Sequence, residues 1–233
     1  MSESASSSLL ARSMRRRSFF RVAGATVAAS TLVLAGCVKD PVEPTDTQVT
    51  TLNLGEGDTG LLNYLLLLEQ LEAAFYQKVV TTPPTDLQAG ELAALTDLRD
   101  HEVVHREFFR QLLGSNAQPT IEFNFSTINF SSRASVLAAA RTFEDLGVAA
   151  YNGAAKLFTS REILALVSKI ASVEARHAAF IRDLIQPTDP FGGVVEGSGA
   201  YSGLGTVLTP PQVIAAATSF FPYTIVVSGL PTA

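Results

Sequence analysis

Apolar residues recur every three to four positions over four stretches of the chain, a spacing that predicts four helices. The first runs from about Thr59 to Val79. Its apolar run, Leu61-Leu62 and Leu65-Leu66-Leu67-Leu68, is interrupted by Asn63-Tyr64 and closed by Glu69. The second starts near Asp86, keeps helical spacing through Leu92, Leu95, Leu98, His105, Phe109 and Leu112, and stops at Gly114-Ser115-Asn116. A longer connection follows, holding Pro119 and Phe123-Asn124-Phe125. Ser131 or Ser132 caps a third helix that continues to about Phe158, and Thr159, with Glu162 three residues on, reads as the cap of a fourth that ends before Pro187. Two helices, a long link and two more helices predict an all-α four-helix bundle whose link between helices 2 and 3 crosses its length. The bundle would occupy residues 59–186.

The flanks read differently. Residues 1–36 have the form of an export signal, 37–58 of a tether with Thr50 to Leu54 extended, and 187–233 of an irregular C-terminal extension. In that extension Pro210-Pro211 open a short helix to Thr218. Phe220-Phe221-Pro222-Tyr223 and Ile225-Val226-Val227 then form an apolar tail that packs against the bundle or a partner. Arg16-Arg17-Ser18-Phe19-Phe20-Arg21 resembles a twin-arginine export signal, which implies export of folded, metal-loaded cargo. Leu34-Ala35-Gly36-Cys37 resembles a bacterial lipobox, which implies lipidation of Cys37 and a membrane lipid as partner on the periplasmic or cell-surface face. Cys37 is the single cysteine of the chain, so no internal disulfide staples the fold. Without residues 1–36 the chain keeps 12 basic residues against 21 acidic ones, near −9 rather than −5. That balance argues against nucleic acid and leaves an envelope protein or a second copy of the chain as macromolecular partners.

The chemistry sits on helix faces. Residues three or four apart share a face, and Glu102 with His105 and Glu174 with His177 repeat one spacing on the second and fourth helices. The first and third helices offer Glu69 and Glu144, each followed seven residues on by a tyrosine, Tyr76 and Tyr151. Phe108 and Phe180 both stand three residues after their histidines, so the halves read as related by a pseudo-twofold. The match fails at one place, where Glu72 follows Glu69 by three and Gly147 follows Glu144 by three. Glu69 comes after a nearly unbroken apolar run, and a charge there is costly unless protonated, paired or bound to metal. Four carboxylates and two imidazoles, Glu69, Glu102, His105, Glu144, Glu174 and His177, would hold two divalent cations whose charge balances them. Oxygen-rich ligation with two nitrogens and no thiolate favours iron or manganese. Glu72 and Glu107 read as solvated or as groups beside the ligands, and His101 as a rim residue, since a neighbour at +1 points about 100° away. Tyr76 and Tyr151 read as core aromatics whose hydroxyls bond the ligand carboxylates. Arg106 and Arg176 read as pairing with acids on neighbouring helices.

One glutamate on each of two helices and Glu-x-x-His on each of the other two resembles the ferritin-like di-iron carboxylate superfamily. Leu68-Glu69-Gln70-Leu71-Glu72-Ala73-Ala74-Phe75-Tyr76 and Phe143-Glu144-Asp145-Leu146-Gly147-Val148-Ala149-Ala150-Tyr151 are most similar to its exported, desiccation-related branch. The resemblance covers about Thr59 to Gln186. It implies that Glu69 and Glu144 are terminal carboxylates, Glu102 and Glu174 bridge the two metals, and His105 and His177 add one nitrogen to each. The apolar tail and the lipid anchor depart from the better-known members and put an iron-storing cage in doubt. Three functions remain open: a di-metal site that oxidises metal or consumes oxygen or peroxide, a structural or metal-binding envelope protein of desiccation or stress, and a binding module whose acids and histidines satisfy one another.

Overall fold

The computed structural model describes residues 51–188 and 204–232. Four long helices carry the fold: α1 (Gly57–Thr81), α2 (Glu91–Leu113), α3 (Arg133–Ala155) and α4 (Arg161–Ile185). They pair as α1 with α2 and α3 with α4, and α1 also lies against α3. A short strand β1 (Thr51–Asn53) precedes them, and helix α5 (Pro210–Ala217) and strand β2 (Thr224–Val226) follow. The result is the all-α four-helix bundle that the periodicity predicts, with a C-terminal extension that is more regular than the sequence suggests.

The buried face of α1 explains its composition. Seventeen of its residues are buried, from Gly60 to Val79, because α2, α3 and the crossing link cover it on nearly every side. The polar residues inside that run hold the link in place. Asn63 Nδ2 donates to the carbonyls of Leu54 and Asn116, and its Oδ1 accepts from the Gln118 amide. Gln70 Oε1 accepts from the Ile121 amide. Farther along α1, Phe75 meets Phe125 and Phe130 at 6.1 and 5.9 Å, and Lys78 Nζ lies 4.4 Å over the Phe130 ring. The link between α2 and α3 therefore tracks α1 from its first turns to its last.

Element ends depart from expectation where a side chain from elsewhere competes for the backbone. The fourth helix is capped by Ser160, whose Oγ accepts from the Ile163 amide. Thr159 instead donates its amide at 2.8 Å and its hydroxyl at 3.0 Å to Asp58, which also accepts from the Ser160 amide and so fixes the chain just before the helix. The second helix begins at Glu91 rather than near Asp86, whose carboxylate instead accepts from the Arg133 amide. The third is capped by Ser132 and ends at Ala155, short of Phe158.

The C-terminal segment closes on the bundle. Gln212 Oε1 accepts from both the amide and the hydroxyl of Thr209 at the start of α5. Val213, Ile214 and Ala217 are buried, and Phe220 packs on Phe143 with ring centroids 4.8 Å apart. A Cβ on Gly153 would stand 1.8 Å from the Leu208 carbonyl, so only glycine lets this segment cross α3. Strand β2 lies parallel to β1, with Leu52 opposite Ile225.

The expectation of a lipid-anchored periplasmic or cell-surface protein is corrected. Among the described residues no helix is long and apolar enough to cross a membrane. The apolar run of α1 is broken by Asn63, ends at Glu69-Gln70 and is buried against protein. The twin-arginine-like run, the lipobox-like run and Cys37 lie outside the described residues. The signal, lipoprotein, periplasm and membrane-anchor readings are withdrawn.

Candidate metal centre

Each of the four helices contributes an acid at mid-length. Glu69 on α1, Glu102 on α2, Glu144 on α3 and Glu174 on α4 are completely inaccessible to solvent, and His105 and His177 are buried beside them. A carboxylate in such a place costs several kcal/mol without compensation, so the arrangement demands a counter-charge.

The geometry supplies two quartets. Glu69, Glu102, His105 and Glu174 place one donor atom each within 4.8 Å of one another, and so do Glu102, Glu144, Glu174 and His177. Glu102 and Glu174 belong to both. His105 Nδ1 stands 2.8 Å from Glu174 Oε1, 3.2 Å from Glu102 Oε2 and 3.3 Å from Glu69 Oε2. His177 Nδ1 stands 2.7 Å from Glu102 Oε1, 3.7 Å from Glu144 Oε2 and 3.8 Å from Glu174 Oε2. Donors on adjacent vertices around a cation with bonds of about 2.1 Å lie about 3 Å apart, the scale of these separations. Glu69 Oε2, Glu102 Oε1, Glu144 Oε2, both oxygens of Glu174 and His177 Nδ1 have no hydrogen bond. Buried donor atoms that converge without satisfying one another fit two divalent cations, and the oxygen-rich set suits iron or manganese.

The outward atoms are tied down. Tyr76 on α1 donates to Glu144 Oε1 on α3 at 2.6 Å, and Tyr151 on α3 donates to Glu69 Oε1 on α1. Each tyrosine thus serves the glutamate of the other half. His177 Nε2 lies 2.9 Å from His101 Nδ1, and the two rings stack. His101 is at the exposed rim, as its position next to Glu102 suggests, yet it touches the site through His177.

Electrostatics follow from burial. Desolvation lifts Glu102 and Glu174 to about 8, and lifts Glu144 well above the ordinary carboxylate range. Burial lowers His177. It would lower His105 too, but the hydrogen bond to Glu102 and the nearby Glu174 and Glu69 carboxylates outweigh it and raise that ring. Burial and the Glu144 and Glu69 charges push the hydroxyls of Tyr76 and Tyr151 up, so they remain donors.

Two further acids, Glu72 and Glu107, divide between the readings the spacing left open. Glu72, expected either in solvent or beside the ligands, is 2% exposed and lies beside them, and its burial with the four other carboxylates raises it strongly. Glu107 does meet solvent and pairs with Arg106 and Arg110 on its own helix, so Arg106 does not reach a neighbouring helix as expected. Between α2 and α4 a cavity of about 570 Å³ opens onto His105 and His177, with Leu98, His101, Arg176 and Phe180 among its walls.

The family described as a ferritin-like domain matches residues 57–187, more than half of the sequence. No curated protein matches this sequence.

Proposed function

This chain belongs to the ferritin-like domain family, and on that premise we propose that it is a di-iron or di-manganese carboxylate protein that reduces oxygen or peroxide. The observation that supports this is the set of inward donor atoms with no hydrogen bond, shared between two quartets. Glu102 and Glu174 would bridge the two cations, Glu69 and Glu144 would each hold one, and His105 and His177 would each add a nitrogen. When bound, two such metals supply one electron apiece to an oxidant. Tyr76 and Tyr151 orient the outer oxygens of Glu144 and Glu69, and His101 orients the His177 ring. The cavity between α2 and α4 gives a small oxidant a route to the histidine side of the centre.

A second reading draws on the placement of the donors. All four helices contribute to one buried site, so the cations would also hold the bundle together. The likeness of Leu68 to Tyr76 and Phe143 to Tyr151 to the desiccation-related branch fits that structural role in stress or drying. Elemental analysis of purified protein separates bound from absent metal, beside a double variant with Glu102→Ala and Glu174→Ala. About two irons or manganeses per chain are expected, lost in the variant. Oxygen or peroxide consumption above that of free metal then supports the catalytic reading. Metal retained without turnover, with a large loss of Tm on its removal, favours the structural one. Absence of specifically bound metal overturns both.

A further inference from the structure

The two halves of the chain differ at one position of the site. Three residues past Glu69 stands Glu72, and three residues past Glu144 stands Gly147. Glu72 is one turn along α1 from Glu69 and shares its face. It is fully enclosed, its Oε2 has no hydrogen-bond partner, and no cationic side chain among the described residues pairs with it. A Cβ on Gly147 would lie 3.0 Å from Glu72 Oε1 and 3.7 Å from Glu174 Oε2. The missing side chain of Gly147 is thus the space in which Glu72 comes beside Glu174. Glu174 Oε2 is the oxygen of that carboxylate on the His177 side, 3.8 Å from His177 Nδ1, whereas Oε1 stands 2.8 Å from His105 Nδ1. Glu72 belongs to neither quartet, but the Gly147 gap sets it beside the Glu174 oxygen that faces His177, a member of the quartet with Glu102 and Glu144.

We propose that Glu72 is a fifth carboxylate of the metal centre, serving the cation held by Glu144 and His177, and that it makes the two metal positions unequal. The inference rests on the di-metal reading above. Two divalent cations balance four carboxylates, and a fifth in the same enclosed space adds negative charge on one side only. The position of Glu69 and His105 has no counterpart, because its pseudo-twofold equivalent is a glycine. The cation at the Glu144 and His177 position is therefore bound first and more tightly.

Anaerobic titration of the metal-free full chain with Co(II), followed by heat and by visible absorption, tests this. The wild type should bind two ions in steps at least tenfold apart. Glu72→Gln keeps the size of the side chain and removes its charge; it should weaken the tighter step about tenfold or more and leave the weaker one in place. Gly147→Ala keeps every carboxylate but fills the gap, and should shift the same step and its absorption band. Two equal steps in the wild type, or both variants titrating like wild type, overturn the role of Glu72 and leave the di-metal reading standing. No Co(II) binding by the wild type sinks both. If Glu72→Gln loses its helical circular dichroism while Gly147→Ala titrates like wild type, Glu72 is a structural group and the proposal fails.

Discussion

His177 turns Nδ1 into the centre, 2.7 Å from Glu102 Oε1 without a hydrogen bond to it, and is held from the other ring nitrogen, Nε2, 2.9 Å from His101 Nδ1. A group that fixes the far nitrogen of a ligand imidazole sets its tautomer and aims its lone pair. His101→Ala leaves every member of the two quartets in place, so the number of cations bound should not change. Affinity at the His177 position should fall about 10- to 100-fold, the usual effect of losing such a partner. Competition against a chelator of known affinity measures this, and unchanged affinity would make His101 a bystander of the cavity wall. The six acids and histidines of the quartets were legible because Glu-x-x-His marks a single face of a helix and occurs twice. Glu72 obeys the same spacing from Glu69, but spacing does not say whether the neighbour across the bundle leaves room. Gly147 carried that signal, as the one break in the symmetry of the halves. His101 was legible only as a rim residue, since its contact with His177 joins α2 to α4 across the bundle.

At the scale of elements, Gly153 sets how closely the C-terminal segment lies on α3. The Leu208 amide donates to the Ala149 carbonyl, Asn152 Nδ2 donates to the Thr206 carbonyl, and the Leu208 carbonyl crosses where a Gly153 side chain would be. A methyl group there meets backbone, which does not yield as the end of a flexible side chain does. Gly153→Ala should cost about 1–3 kcal/mol and lift residues 204–232 away from the bundle. Limited proteolysis should then cut that segment faster while the four long helices persist; equal cutting rates would show that the segment adjusts without leaving. Helix existence was legible from apolar periodicity, and the cap of α3, Ser132, is one of the two serines the sequence offered. The start of α4 was misplaced because Thr159 and Ser160 both have capping side chains. What decides between them is Asp58, about a hundred residues earlier in the chain, whose carboxylate occupies the Thr159 amide and hydroxyl. A local motif cannot report such a competitor.

For the whole molecule, the buried acids tie stability to pH. In the unfolded chain Glu102 and Glu174 ionise near 4.5, whereas in the metal-free fold they keep their protons to about 8. The fold binds more protons than the unfolded chain over that interval, so its stability falls as pH rises from about 5 to about 8. The raised His105 acts in the same direction above about 6.5. The lowered His177 acts in the opposite direction below that value, as one ring against two carboxyls. Metal-free protein should therefore lose on the order of 10 °C in Tm over this range, while metal-loaded protein, whose carboxylates are neutralised by cations, should change little. Scanning fluorimetry with and without chelator across pH reads the difference, and parallel curves would mean that the acids do not share one enclosed site. The bundle and its long link were legible as a whole because each helix carries its own pattern. The pairing of β1 with β2 was not, since three-residue strands have too few positions to show a period. That pairing has a consequence in time. Residues 51–53 are made early in synthesis, and the partner strand emerges only after all four long helices. Joining segments so distant in sequence is slow, since the intervening chain must first be ordered. The nascent bundle therefore passes through an interval with its first strand unpaired, and the clasp closes last.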